Sequence, residues 1–203
     1  MTESFFTLAS KASGTYKEKG SKFIAFAHPV TDFEQIKAIL EGLKKEYFDA
    51  SHHCFAWVLG PEKKQFRAFD DGEPNHSAGN PILGQIRSKN LTDVLVVVVR
   101  YFGGTKLGVS GLISAYKAAA AEALNQAQVI EKFITEQLAL DFAYTETSSV
   151  MALLKEFDAQ INQQLFTDSC QIIFELRIKQ VHPFLAKLEV LQATGHQLQL
   201  SRK

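Results

Sequence analysis

A chain of 203 residues that is 46% hydrophobic and 22% charged has the makeup of a folded globular protein, which excludes a disordered or collagen-like chain and leaves room for one large domain or two small ones. Twenty-two Lys and Arg balance twenty-two Asp and Glu, so no overall field draws the molecule to a polyanion, and any nucleic-acid binding must use a local patch. Cys54 and Cys170 stand far apart with no CxxC pair, which excludes a disulfide framework and a cysteine zinc site and points to a reducing compartment.

The opening MTESFFTLASKASG lacks a basic start followed by a long apolar stretch, and the longest apolar run, residues 94–99, is too short to span a bilayer. Neither export nor membrane insertion is expected, and the predicted location is cytoplasmic. KFIAFAHPV (residues 22–30) reads as a strand that Pro29 ends. TDFEQIKAILEGLKKEYF then spaces Phe33, Ile36, Ile39, Leu40 and Leu43 as a helix, with Thr31 or Asp32 as its cap. Residues 53–59 and 65–69 form a hairpin about Gly60 and Pro61, and the polar loop DDGEPNHSAGNP follows. A short helix over 77–87 leads to LTDVLVVVVRYF, a β-branched run of the kind buried on both faces of a sheet. GGTKLGVSG then passes into LISAYKAAAAEALNQA, rich in strong helix formers.

From Phe133 the pattern becomes strand (133–144), helix (146–159), two strands (160–168 and 169–179), helix (182–193) and strand (196–200). That order is βαββαβ, a ferredoxin-like unit. The chain is therefore read as α+β with two domains, 1–128 and 129–203, the boundary falling near residues 128–132.

Residues 100–111, RYFGGTKLGVSG, join the buried strand to a helix through four glycines, an Arg and a Lys. Gly103, Gly104, Gly108 and Gly111 let backbone N–H groups turn outward, and a helix start adds partial positive charge, a recipe for holding phosphate or carboxylate. Lys106 supplies mobile charge, with Arg100 as a second cation. The spacing fits neither a Walker A loop nor GxGxxG, so nucleotide hydrolysis is not implied. The other reading of the same glycines is a tight strand-to-helix turn.

Asp70, Asp71, Glu73 and His76, with His52 and His53 on the preceding strand, could hold a divalent metal or do acid/base work. DDGEP is equally good turn and capping chemistry, no HExxH or EF-hand spacing is present, and no metal or cofactor is expected. Nucleophilic catalysis by Ser77, Cys54 or Ser110 lacks a GxSxG elbow, so no catalytic residue is assigned. Tyr101, Phe102, Tyr116 and Lys117 could add stacking and phosphate contacts to RNA, or serve as core at the strand end.

HHCFAWVLG (52–60), FDDGEP (69–74), SAGNPIL (77–83) and VVVVRYFGGTKLGVSGLISAY (96–116) together resemble the IMPACT family, in particular its bacterial two-domain members of the YigZ type. The resemblance implies a ribosomal protein S5 domain 2-like fold for the first domain and a ferredoxin-like second domain. It also implies a link to translation, since eukaryotic relatives act on a partner of the starvation-responsive initiation-factor kinase without known catalysis. Two departures stand out. Residues 75–79 read NHSAG where the family more commonly has SGTAG, which makes His76 a substitution within the loop, and Ser110 replaces a usual glycine.

The expectation is a non-enzymatic translation-linked regulator that binds RNA or a ribosome-associated protein through the glycine loop, with Asp70, Asp71, Glu73 and His76 bordering the same cleft. The alternatives are an enzyme acting on a small phosphorylated or carboxylated substrate, with metal-assisted hydrolysis as one form, and a pure protein-interaction module.

Overall fold

In the computed structural model, which describes residues 3–166 and 170–202, the chain divides into two units: one is Ser4–Lys132, and the other runs onward from Phe133 and takes in Glu3. Both combine helices with sheets in an α+β architecture. No helix among the described residues is long and apolar enough to cross a membrane.

The first unit runs β1 (Ser4–Leu8), β2 (Ala12–Glu18), β3 (Ser21–Pro29), α1 (Phe33–Glu46), β4 (His52–Leu59), β5 (Gln65–Phe69), α2 (Gly79–Ser88), β6 (Val94–Tyr101), α3 (Gly108–Gln126) and all but the last residue of β7 (Val129–Phe133). Five antiparallel strands lie in the order β2-β3-β6-β4-β5, and β1 pairs with β7. The β-branched run dictates the centre of this sheet, because every residue from Val94 to Val99 is 0% exposed. Val94, Val96 and Val98 enter the core shared with α2 and α3, whereas Leu95, Val97 and Val99 enter the one beneath α1. Burying each side chain of that size contributes about 1.5–3 kcal/mol, so β6 anchors both layers. Asp32 caps α1 by accepting the Gln35 N–H at 2.8 Å.

The second unit runs β8 (Thr135–Phe142), a 3-10 turn (Tyr144–Glu146), α4 (Thr147–Glu156), β9 (Gln160–Phe166), β10 (Cys170–Arg177), α5 (Ile178–Ala193) and β11 (Leu198–Arg202), with strand order β11-β8-β10-β9. Alternation divides the faces of this sheet. Leu138, Leu140, Ile172, Phe174 and Leu176 pack against Val150, Leu153, Phe184 and Leu188 of the helices. The other face carries polar pairs such as Gln171 with Asp141 at 2.6 Å and Asn162 with Glu175 at 2.9 Å.

Several boundaries differ from the sequence reading. Strands β1 and β2 were not anticipated, because ASGTYKE is polar and glycine-containing and neither of its faces is fully buried. Helix α3 starts at Gly108, four residues before the apolar run suggests. α5 begins at Ile178, with Pro183 inside it, where the sequence places the start at residue 182. The strand expected over 133–144 is split between β7 and β8. Thr167, Asp168 and Ser169, expected at the ends of two strands, lie outside the described residues.

Candidate functional site

The acidic loop turns its two aspartates onto backbone N–H groups. After β5 the chain reverses through Asp71 (φ 44°) and Gly72 (φ 85°), and the Glu73 N–H donates to the Asp70 carbonyl at 2.9 Å. Asp70 Oδ1 accepts the N–H groups of Ala78 (3.0 Å) and Gly79 (2.8 Å), and Oδ2 accepts that of His76 (2.8 Å). Asp70 therefore caps α2, whose own cap position, Ala78, has no side-chain acceptor. Asp71 Oδ2 accepts the His53 N–H at 2.7 Å. His76, also at positive φ (65°), is exposed and pairs with Asn80 at 2.9 Å. Among the described residues no group of three or more His, Cys, Asp or Glu side chains is arranged to hold a metal ion.

Beneath the loop lies a buried polar cluster. Glu73 is 7% exposed and its Oε1 accepts from Arg100 Nη1 at 2.6 Å and from the Tyr116 hydroxyl at 2.7 Å. His52 Nε2 lies 3.8 Å from the same oxygen, while His52 Nδ1 is 2.8 Å from the Asp71 carbonyl, the geometry of an Nδ1–H donor. The Cys54 thiol donates to the Asp70 carbonyl at 3.0 Å and approaches the Tyr116 hydroxyl at 3.3 Å. Sheet register explains the meeting, since Arg100 on β6 faces Phe23 on β3 and His52 on β4. The guanidinium lies 5.4 Å from the Phe23 ring centroid and 5.6 Å from that of Phe102. Burial pushes both the Tyr116 hydroxyl and the Cys54 thiol well up, so each stays protonated.

These distances place several expected site residues indoors. Arg100 is 5% exposed and directs its charge at Glu73, so it is not a surface contact for an anion. Tyr116 is 0% exposed, which removes it as a stacking platform. Cys54 is buried and protonated, which disarms it as a nucleophile. Glu73 ties the acidic loop to β6, the strand that feeds the glycine loop, through a buried ion pair with Arg100.

The glycine loop itself is open. Phe102 is 51% exposed, and Gly103, Gly104, Thr105 and Lys106 are all exposed. Gly103 permits a close approach: a Cβ there would lie 1.9 Å from the Gly20 carbonyl carbon, and its N–H donates to Ser21 Oγ at 3.2 Å. Gly104 (φ 85°) and Gly108 (φ 71°) take the left-handed conformation. Gly111 sits in the first turn of α3, where a Cβ would stand 3.0 Å from Leu107 Cβ. That helix start has no side-chain cap and no acidic residue, so its first N–H groups and partial positive charge stay uncompensated next to Lys106. The contact with Gly20 also brings the β2–β3 turn, with exposed Lys19 and Lys22, to the same end of the sheet. Sequence reasoning missed this turn; the signal was the lysine-rich KEKGSK around a glycine.

Residues 19–124 match the family model described as the Impact N-terminal domain. The chain is 34% identical over 188 residues to the Escherichia coli protein "IMPACT family member YigZ", covering 92% of each. It is 29% identical over 184 residues to the Bacillus subtilis protein "IMPACT family member YvyE", covering 91% of this chain and 85% of the relative. The Saccharomyces cerevisiae "Protein IMPACT homolog" is 37% identical over 102 residues, 48% of this chain and 39% of the yeast protein. A crystal structure described as that of a hypothetical protein superposes with a TM-score of 0.75 at 33% identity, covering 98% of this chain and 97% of the other.

Proposed function

The chain belongs to the IMPACT family, and from that premise we propose that it is a cytoplasmic, translation-linked regulator that binds RNA or a ribosome-associated partner without catalysing a reaction. The observation that carries this reading is the uncapped start of α3 beside exposed Lys106, a built-in receiver for a phosphate oxygen. Exposed Phe102 adjoins it as a stacking surface, and Lys19 and Lys22 add charge at the same end of the sheet. A binding role also suits the acidic loop, whose aspartates are occupied as cap and turn acceptors and whose Glu73 is neutralised by Arg100. We read the first unit as S5 domain 2-like and the second as ferredoxin-like, the latter supported by its βαββαβ order and its strand order β11-β8-β10-β9. The yeast relative is covered over 39% of its length, so a kinase-pathway role is not carried across.

The test is binding of a fluorescein-labelled single-stranded RNA, and cosedimentation with ribosomes, across a salt series. Lys106→Ala should weaken binding and lower the salt slope by about 0.7, the share of one phosphate on a single strand. Unchanged affinity and slope would remove Lys106 and the loop from the interface.

One observation favours the enzymatic alternative. His52 is held by the Asp71 carbonyl with Nε2 turned toward Glu73, the posture of an oriented base beside a carboxylate. Turnover of a small phosphorylated or carboxylated compound that disappears in His52→Gln would establish it; silence across a broad screen would count against it.

A further inference from the structure

The two faces of the five-stranded sheet are covered unequally. Cys54, Ala56 and Val58 of β4 face α2 and α3, whereas Phe55, Trp57 and Leu59 face α1 alone. One helix about 10–12 Å across cannot shield five strands spaced about 4.8 Å apart. Beside α1, over β4 and β5, a groove of about 160 Å³ remains, walled by Phe33 and Leu40 and floored by Phe55 and Trp57. Phe33 is 52% exposed at its mouth.

Two features show that this is more than a gap in the packing. The Trp57 Nε1–H is shielded from water and has no acceptor, an unfavourable state for a buried donor. The rim carries Lys37, Lys44 and Arg67 against one acid, Glu41, and none of the three cations forms an ion pair among the described residues. Arg67 lies opposite Trp57 in the β4–β5 pairing, with its guanidinium 6.0 Å from the Phe55 ring centroid and 5.6 Å from that of Phe69. It is held at the rim by aromatic faces, with its charge free.

We propose that this groove docks an acidic peptide segment of a partner protein that carries one large apolar side chain. That side chain lies against Phe33 and Trp57, flanking carboxylates meet Lys37, Lys44 and Arg67, and a slight tilt of the indole presents its N–H to a carbonyl of the bound segment. The volume decides the class of occupant: small-molecule sites begin at about 300 Å³, so this groove takes a side chain and excludes a nucleotide. The site is on the α1 face, away from the α2 and α3 layer, and does not depend on the reading of the glycine loop.

Trp57 is the single tryptophan of the chain, so intrinsic emission reports on the groove directly. The full-length protein is titrated with acetyl-Asp-Glu-Phe-Asp-Glu-amide, with the same peptide carrying Ala for Phe, and with acetyl-Lys-Lys-Phe-Lys-Lys-amide. The proposal expects a saturable emission change with the first peptide alone, and binding about tenfold weaker in Arg67→Glu and in Lys37→Glu, both exposed positions whose folding is checked by circular dichroism. No saturable change at millimolar peptide, equal binding of the alanine or lysine peptide, or undiminished binding by both folded variants overturns it. A saturable response to hexauridylate that displaces the acidic peptide also overturns it, assigning the face to nucleic acid.

Discussion

Glu73 is the residue on which the buried cluster turns, because one of its oxygens accepts from both Arg100 and Tyr116. Removing one partner of a buried ion pair leaves the other charge without compensation, which costs about 3–5 kcal/mol. Glu73→Ala is expected to lose that much in urea denaturation, whereas Tyr116→Phe, which keeps the pair and deletes one hydrogen bond, is expected to lose about 1–2 kcal/mol. Equal small losses would mean that water reaches Arg100. The sequence made Glu73, Arg100, Asp70 and Asp71 visible as chemistry-bearing residues, since charged groups beside Gly and Pro stand out. Their roles were not legible: Asp70 became a cap only because the α2 start lies against Phe69, where a Cβ on Gly79 would meet the Phe69 nitrogen at 2.4 Å.

The decisive element is α3, a helix of 19 residues that starts inside the glycine loop. Alanine content made the helix itself predictable, but Gly108 to Gly111 read as loop because glycine is a poor helix former. Packing overrides that preference through Leu112, Ala115 and Tyr116, which seat the first turns against the sheet. Ser110 is exposed in the first turn, where an acid interacts favourably with the helix dipole. Ser110→Asp is therefore expected to raise stability by about 0.3–1 kcal/mol while weakening RNA binding, because the new carboxylate occupies the field offered to a phosphate. A melting curve paired with an RNA titration checks both signs; improved or unchanged RNA binding would sever the helix start from the function.

At the scale of the whole molecule, balanced net charge leaves buried titratable groups to shape the dependence of stability on pH. Burial raises Cys54 from an ordinary 9.0 and Tyr116 from 10.0, so above pH 9 the unfolded chain releases protons that the fold retains, and stability falls, more steeply above 10. Burial lowers His28 and His53 from 6.5, so below that pH the unfolded chain takes up protons that the fold refuses, and stability falls again. Denaturation midpoints should be flattest between about 6.5 and 9 with respect to these four groups, and Cys54→Ala combined with Tyr116→Phe should flatten the alkaline limb. An alkaline limb that survives both substitutions would assign it to other groups. By itself the sequence determined the mixed α and β character, the buried central strand, the glycine loop and the family, because periodicity, turn chemistry and contiguous motifs are local properties of a chain. Only the tertiary structure decided that Glu73 would meet Arg100, 27 residues on, and Tyr116, 43 residues on, and that one helix would leave Trp57 beneath an open groove. Those outcomes depend on strand register and on which elements share a sheet face, and neither is written in any one stretch of residues.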